Sequence, residues 1–105
     1  MASNIEFVQY VCERIDKAGF ISYRMMFGDY CIYCDNKPVA LVCDNQFFVK
    51  VTPEGEKAFP NLPKAAPYPG AKPYLVVEDV DNAKAAVRLV KLTVKQFSIP
   101  KKRAK

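Results

Sequence analysis

Apolar residues recur at Phe7, Val8, Val11, Cys12, Ile15 and Ala18, while Glu6, Gln9, Glu13, Arg14, Asp16 and Lys17 fall between them. That spacing gathers the apolar positions onto one stripe and predicts an amphipathic helix from about Asn4 to Gly19. Ser3 and Glu6 have the form of a capping box at its start, and Gly19 suits its end. From Tyr30 to Val51 the pattern turns β-rich, divided by Asp35-Asn36 and Asp44-Asn45. Those pairs tolerate the left-handed backbone of a tight hairpin, so the stretch reads as a three-strand meander. With two-residue turns, Ile32 opposes Val39, Ala40 opposes Val49, Leu41 opposes Phe48 and Val42 opposes Phe47. Alternation then puts Cys31, Tyr33, Ala40, Val42, Phe47, Val49 and Val51 on one face, and Tyr30, Ile32, Val39, Leu41 and Phe48 on the other. Both faces are apolar. An antiparallel sheet usually leaves one side to water, so the second face is expected to meet another helix or a second copy of the chain.

Pro53 fits the first turn of a short helix to about Phe59, and Pro60, Pro63, Pro67, Pro69, Gly70 and Pro73 then predict a long irregular loop. Tyr74 to Glu78 reads as a fourth strand, and Asp79 or Asp81 as the cap of a final helix through about Phe97. In that helix Val87, Val90, Val94 and Phe97 form an apolar stripe, and Lys84, Arg88, Lys91 and Lys95 a basic one. The fold class is α+β: a two-layer domain with an antiparallel sheet and N- and C-terminal helices, in the order α-β-β-β-α-β-α. One domain is expected over residues 1–100, followed by a disordered basic tail at 101–105.

Charge adds an asymmetry. Up to residue 83 there are eight Lys/Arg against eleven Asp/Glu; from residue 84 onward there are eight Lys/Arg and no acid. A cationic end of this kind attracts acidic proteins, nucleic acid or anionic surfaces. No run approaches the ~20 apolar residues of a membrane helix, and Glu6 sits where a secretory signal would be basic and then apolar, so an intracellular, membrane-free protein is expected. A chain of 105 residues can bury a core without staples, so its four cysteines need not form disulfides.

His is absent, which removes the commonest general base and metal ligand. Cys31 and Cys34 have the spacing of a redox pair or half a zinc site, but on a strand residues three apart project to opposite faces. Cys43 shares a face with Cys34 in the meander, yet near the other end of its strand. Ser3, Ser22 and Ser98 fall in a cap, a turn and a helix end with no base beside them. Glu78, Asp79 and Asp81 suit helix capping and dipole compensation better than a metal site. The expectation is a protein that is not an enzyme and carries no cofactor or metal.

Three motifs carry a resemblance: Arg24-Met25-Met26-Phe27-Gly28-Asp29-Tyr30 followed by Tyr33; Cys43-Asp44-Asn45-Gln46-Phe47-Phe48-Val49-Lys50; and Pro67-Tyr68-Pro69-Gly70-Ala71-Lys72-Pro73-Tyr74. Together they resemble the N-terminal domain family of TfoX/Sxy, bacterial regulators of competence genes, from about Ser3 to Phe97. The resemblance implies a two-layer α+β domain, a single-domain member, a cytoplasmic bacterial location and a regulatory rather than catalytic role.

The candidate partner-binding residues are Arg24, Lys50, Tyr68, Lys72, Tyr74, Lys84, Arg88, Lys91 and Lys95. Lys50 is a cation between Val49 and Val51 on a strand, where it must snorkel, pair or meet a partner. Arg24 is the other cation without an evident structural role. Tyr68, Lys72 and Tyr74 lie in a proline-stiffened loop that orders at low entropic cost and offers aromatic faces. Met25, Met26 and Phe27 are assigned to the core, and Gly28 to a tight turn. The expected partner is a regulatory protein, with a homodimer as a further expectation. The alternative is nonspecific, salt-sensitive nucleic-acid binding through the C-terminal charges, because no aromatic interleaves them and arginine is scarce.

Overall fold

The computed structural model describes residues 4–26, 29–78 and 80–98. Helix α1 (Ile5–Arg14) starts at Asn4, whose side-chain oxygen accepts the Glu6 N–H at 2.8 Å. Ser3, the other half of the expected capping box, lies outside the described residues. The N–H of Asn4 donates to the Asn45 side chain at 2.7 Å, which ties the helix start to a hairpin turn. A 3-10 turn at Asp16–Ala18 continues the helix to Gly19, at φ 156°.

Among the described residues six strands follow in one sheet: β1 (Ile21–Met26), β2 (Asp29–Cys34), β3 (Lys37–Cys43), β4 (Gln46–Val49), β5 (Lys64–Ala65) and β6 (Tyr74–Val77). Their spatial order is β1-β2-β3-β4-β6-β5, with every neighbouring pair antiparallel. Helix α2 (Pro53–Ala58) lies between β4 and β5 in the chain, and α3 (Ala83–Ser98) closes it. The α+β class is as the pattern implied. Strands β1 and β5 are additions to the expected order, so Ser22 sits on a strand and not in a turn. Met25, assigned to the core, is 64% exposed. Phe27, Gly28 and the side chain of Met26 lie outside the described residues.

Both hairpin turns form as the Asp-Asn pairs demand: Asp35 and Asn36 have φ of 53° and 68°, and Asp44 and Asn45 of 52° and 56°. Leu41–Phe48, Val42–Phe47 and Ala40–Val49 pair as expected between β3 and β4. Between β2 and β3 the pairing departs. Tyr33 opposes Pro38, but Ile32 opposes Ala40, so Val39 is an extra residue in β3. A one-residue bulge moves every later pair by one position and exchanges the faces of the partner strand. Tyr30 and Ile32 therefore belong with Ala40, Val42, Phe47 and Val49, and Cys31 belongs with Leu41, the reverse of the alternation assignment.

The three helices cover the first of these faces. Val8, Val11 and Ile15 of the N-terminal segment and Ala86, Leu89, Val90 and Val94 of α3 pack with Ile32, Cys34, Val42, Phe47, Val49 and Leu75 in one buried cluster. Each fully buried Val, Leu, Ile or Phe contributes about 1.5–3 kcal/mol of transfer free energy. Thr52 caps α2, its hydroxyl accepting the Gly55 N–H at 3.0 Å, with Pro53 in the first turn as its fixed φ favours. Asn82 caps α3 in place of Asp81, with its side chain accepting the Ala85 N–H at 3.3 Å. The cap must immediately precede the first helical residue, which is Ala83; Asp79 lies outside the described residues. Among the described residues, no helix is long and apolar enough to cross a membrane.

Candidate binding site on the outer sheet face

The face turned away from the helices is where the bulge has its consequence. A row of directly opposed residues crosses the sheet there: Arg24 with Cys31, Cys31 with Leu41, Leu41 with Phe48, and Phe48 with Val76. Cys43, Phe48 and Val76 are buried as a small second cluster, with Leu41 and Tyr74 packed against it. Among the described residues no helix lies over this cluster. Beside it is a groove of about 560 Å³ whose lining includes Cys31, Leu41, Cys43, Lys50, Tyr68 and Tyr74.

The proline-rich loop makes the groove's wall. Tyr68 is 55% exposed, and Tyr74, which opens β6, is half-buried. A second recess of about 580 Å³ shares Lys50, Tyr68 and Tyr74 with the groove and adds Lys72, Gly70 and Pro73. Lys50 follows the last residue of β4, and its N–H donates to the Val39 carbonyl at 3.0 Å, which extends the β3–β4 register by one residue beyond the Ala40–Val49 pair. Of the candidate residues, the structure thus brings Lys50, Tyr68, Lys72 and Tyr74 together, with Arg24 farther across the same face. Lys84, Arg88, Lys91 and Lys95 are all exposed on α3, in the opposite layer. The Arg88 guanidinium lies 5.9 Å from the centre of the Phe59 ring, a cation–π contact that holds it against α2's end.

The chemistry available in the groove is binding chemistry. Burial pushes the thiols of Cys31 and Cys43 up; for Cys43, burial first and then the negative charge of Asp29, which also hydrogen-bonds it, and of Asp44 raise it to about 11. Both are neutral thiols near pH 7 and poor nucleophiles. Burial also raises Tyr74, so its hydroxyl stays a donor. All four cysteines are free. Cys34 points into the helix-side core, while Cys43 shares the outer face with Cys31 and not with Cys34, a correction that follows from the bulge at Val39. Among the described residues no group of three His, Cys, Asp or Glu could hold a metal ion.

The groove floor of Cys31, Leu41 and Cys43 was missed as a unit by alternation alone. Pro38 was the available signal, since proline inside a sheet marks an edge or a bulge.

Comparison with known proteins places these features in a family. The model of the TfoX N-terminal domain matches residues 13–97. A protein of Spirochaeta aurantia described as "Uncharacterized 12.7 kDa protein in trpE 5'region" is 34% identical over 104 residues, covering 98% of this chain and 90% of that protein.

Proposed function

We propose, since the chain belongs to the TfoX N-terminal domain family, that it is a non-enzymatic regulatory domain that acts by binding another protein in the bacterial cytoplasm. The process it serves is control of gene expression, as for the competence regulators of that family. The observation that carries this reading is the clustering of Lys50, Tyr68, Lys72 and Tyr74 around an apolar groove on the sheet face turned away from the described helices. Aromatic rings over an apolar floor supply contact area at small entropic cost, and two ammonium groups at the rim favour a partner segment that is apolar and acidic. The neutral thiols and the lack of histidine support binding rather than catalysis.

Capture from bacterial lysate by the wild-type chain is compared with capture by a Tyr68→Ala/Lys72→Glu variant and by a Lys84→Glu/Lys91→Glu variant. A specific protein retained by the wild type and the helix variant, and lost by the groove variant, is the expected result. Loss only in the helix variant, with DNA retained at physiological salt, would transfer the function to nucleic-acid binding through the basic helix.

A further inference from the structure

We propose that β1 is a homodimerisation edge: two copies of this chain pair their β1 strands antiparallel about a two-fold axis through Tyr23, joining two six-stranded sheets into one. This inference is independent of what the outer groove binds.

The two edges of the sheet differ. The β5 edge is two residues long and is preceded by Pro63, a form that does not template another strand. The β1 edge is six residues long, contains no proline and carries one charge, Arg24. Its only neighbour among the described residues is β2.

Backbone direction along β1 is fixed by its start. The Phe20 carbonyl accepts the Asp35 N–H at 2.8 Å, and the Phe20 N–H donates to the Asp35 carboxylate at 2.9 Å. Phe20 therefore directs both backbone groups toward β2, in register with the Ile21–Cys34 pair. Hydrogen-bonded and non-hydrogen-bonded pairs alternate in an antiparallel ladder, so Ser22 and Arg24 also face β2. Ile21, Tyr23 and Met25 turn their N–H and C=O groups outward from the sheet edge.

The side chains of those same three residues lie on the helix side, where the helices stop short. Tyr23 is 37% exposed and Met25 64% exposed. Tyr23 is held at this edge by an edge-to-face contact with Tyr30, the ring centres 5.8 Å apart.

Self-complementarity selects the register. With Tyr23 of one copy opposite Tyr23 of the other, Ile21 faces Met25 twice, every outward backbone group of the three residues finds a partner, and Arg24 faces Ser22. Sliding by two residues one way sets Arg24 against Arg24, which like charge disfavours. Sliding the other way leaves Met25 opposite Gly19. A two-fold axis normal to the sheet leaves both outer faces on one side, so the two grooves would be presented together to a single partner.

Sedimentation of the full chain at roughly 100 µM, well above the micromolar dissociation constant of a modest interface, is the test. A dimer is expected. Of the backbone donors Tyr23→Pro removes only an outward one, and it gives up the ring contact with Tyr30 as well; it should leave a monomer with native circular dichroism, whereas Ser22→Pro, which removes an inward N–H, should disrupt the fold. Met25→Lys at an exposed side chain should likewise give a folded monomer, and it carries the test should Tyr23→Pro fail to fold. Mild oxidation should cross-link Tyr23→Cys and not Arg24→Cys. A monomeric wild type, or a folded Met25→Lys variant that remains dimeric, would overturn the proposal, as would cross-linking at Arg24→Cys in place of Tyr23→Cys.

Discussion

Gly19 and Asp35 meet where a β-carbon would stand: a Cβ on Gly19 would lie 2.9 Å from the Asp35 carboxylate oxygen and 2.9 Å from the Cys34 sulfur. The same carboxylate accepts the Phe20 N–H, so the end of the helical segment, the first strand and the first hairpin turn are fastened at one point. Glycine is required twice here, for space and for its φ of 156°. Gly19→Ala should destabilise the fold by about 1–3 kcal/mol, read as a lower urea midpoint with an unchanged slope.

Leu89 and Thr93 are both fully buried, one turn apart on α3, yet they should respond differently. Leu89→Ala removes apolar volume from the main core and should cost about 2–5 kcal/mol. The Thr93 hydroxyl donates at 2.9 Å to the Leu89 carbonyl, which lies within the helix. Thr93→Val leaves that carbonyl in its backbone ladder, so the change should stay within about 1 kcal/mol in the same denaturation experiment.

How much of this was legible in the chain depends on which interactions are local. The hairpin turns could be read because Asp35-Asn36 and Asp44-Asn45 state their own backbone requirement. The basic stripe of α3 could be read because Lys84, Arg88 and Lys91 are neighbours on a helix by spacing alone; the apolar one was read a little off, since Ala86 and Leu89 are buried with Val90 and Val94 whereas Val87 is half-buried, and the Phe97 side chain lies outside the described residues. The bulge could not, since Val39 and Ala40 are both apolar and either satisfies alternation; only Pro38 marked it. Ile21, Tyr23 and Met25 do alternate with Ser22 and Arg24, but the run of Met25, Met26 and Phe27 has the look of a core. Strand β5 is two residues long, too short to carry a pattern. The groove joins Lys50 and Tyr68, eighteen positions apart, through a loop whose path no local signal sets.

Thiol chemistry supplies a test in pH. Burial raises Cys12 to about 11, and burial with the nearby carboxylates does the same for Cys43. In the unfolded chain both ionise near the ordinary value of about 8.5. Between those values the unfolded state loses protons that the folded state keeps, so stability is fully present below the ordinary thiol value and is lost as pH rises toward 11. Denaturation midpoints should fall from pH 8.5 upward, less so in a Cys43→Ser variant measured against itself. Alkylation of Cys43 in the folded protein at pH 8 should be much slower than in denaturant.

Binding to DNA should be weak, and the placement of the basic residues sets its limit. Lys84, Arg88, Lys91 and Lys95 are exposed along one helix, Arg88 is already over the Phe59 ring, and residues 84–95 themselves contain no aromatic for a base to stack on. Four phosphate contacts give a slope of log K against log salt of about −4, and affinity resting on counterion release alone is largely lost between 50 and about 200 mM salt. Fluorescence anisotropy with a duplex should therefore show binding at low salt that disappears at physiological ionic strength and does not distinguish sequences. Replacing Lys84 and Lys91 by Glu should flatten the slope further. A persistent slope steeper than about −6 would require cations beyond the α3 stripe, directing attention to Lys101, Lys102, Arg103 and Lys105. Sequence-selective binding at physiological salt would refute the protein-partner reading, because it needs base-edge contacts that this stripe, with one arginine and that one engaged, does not offer.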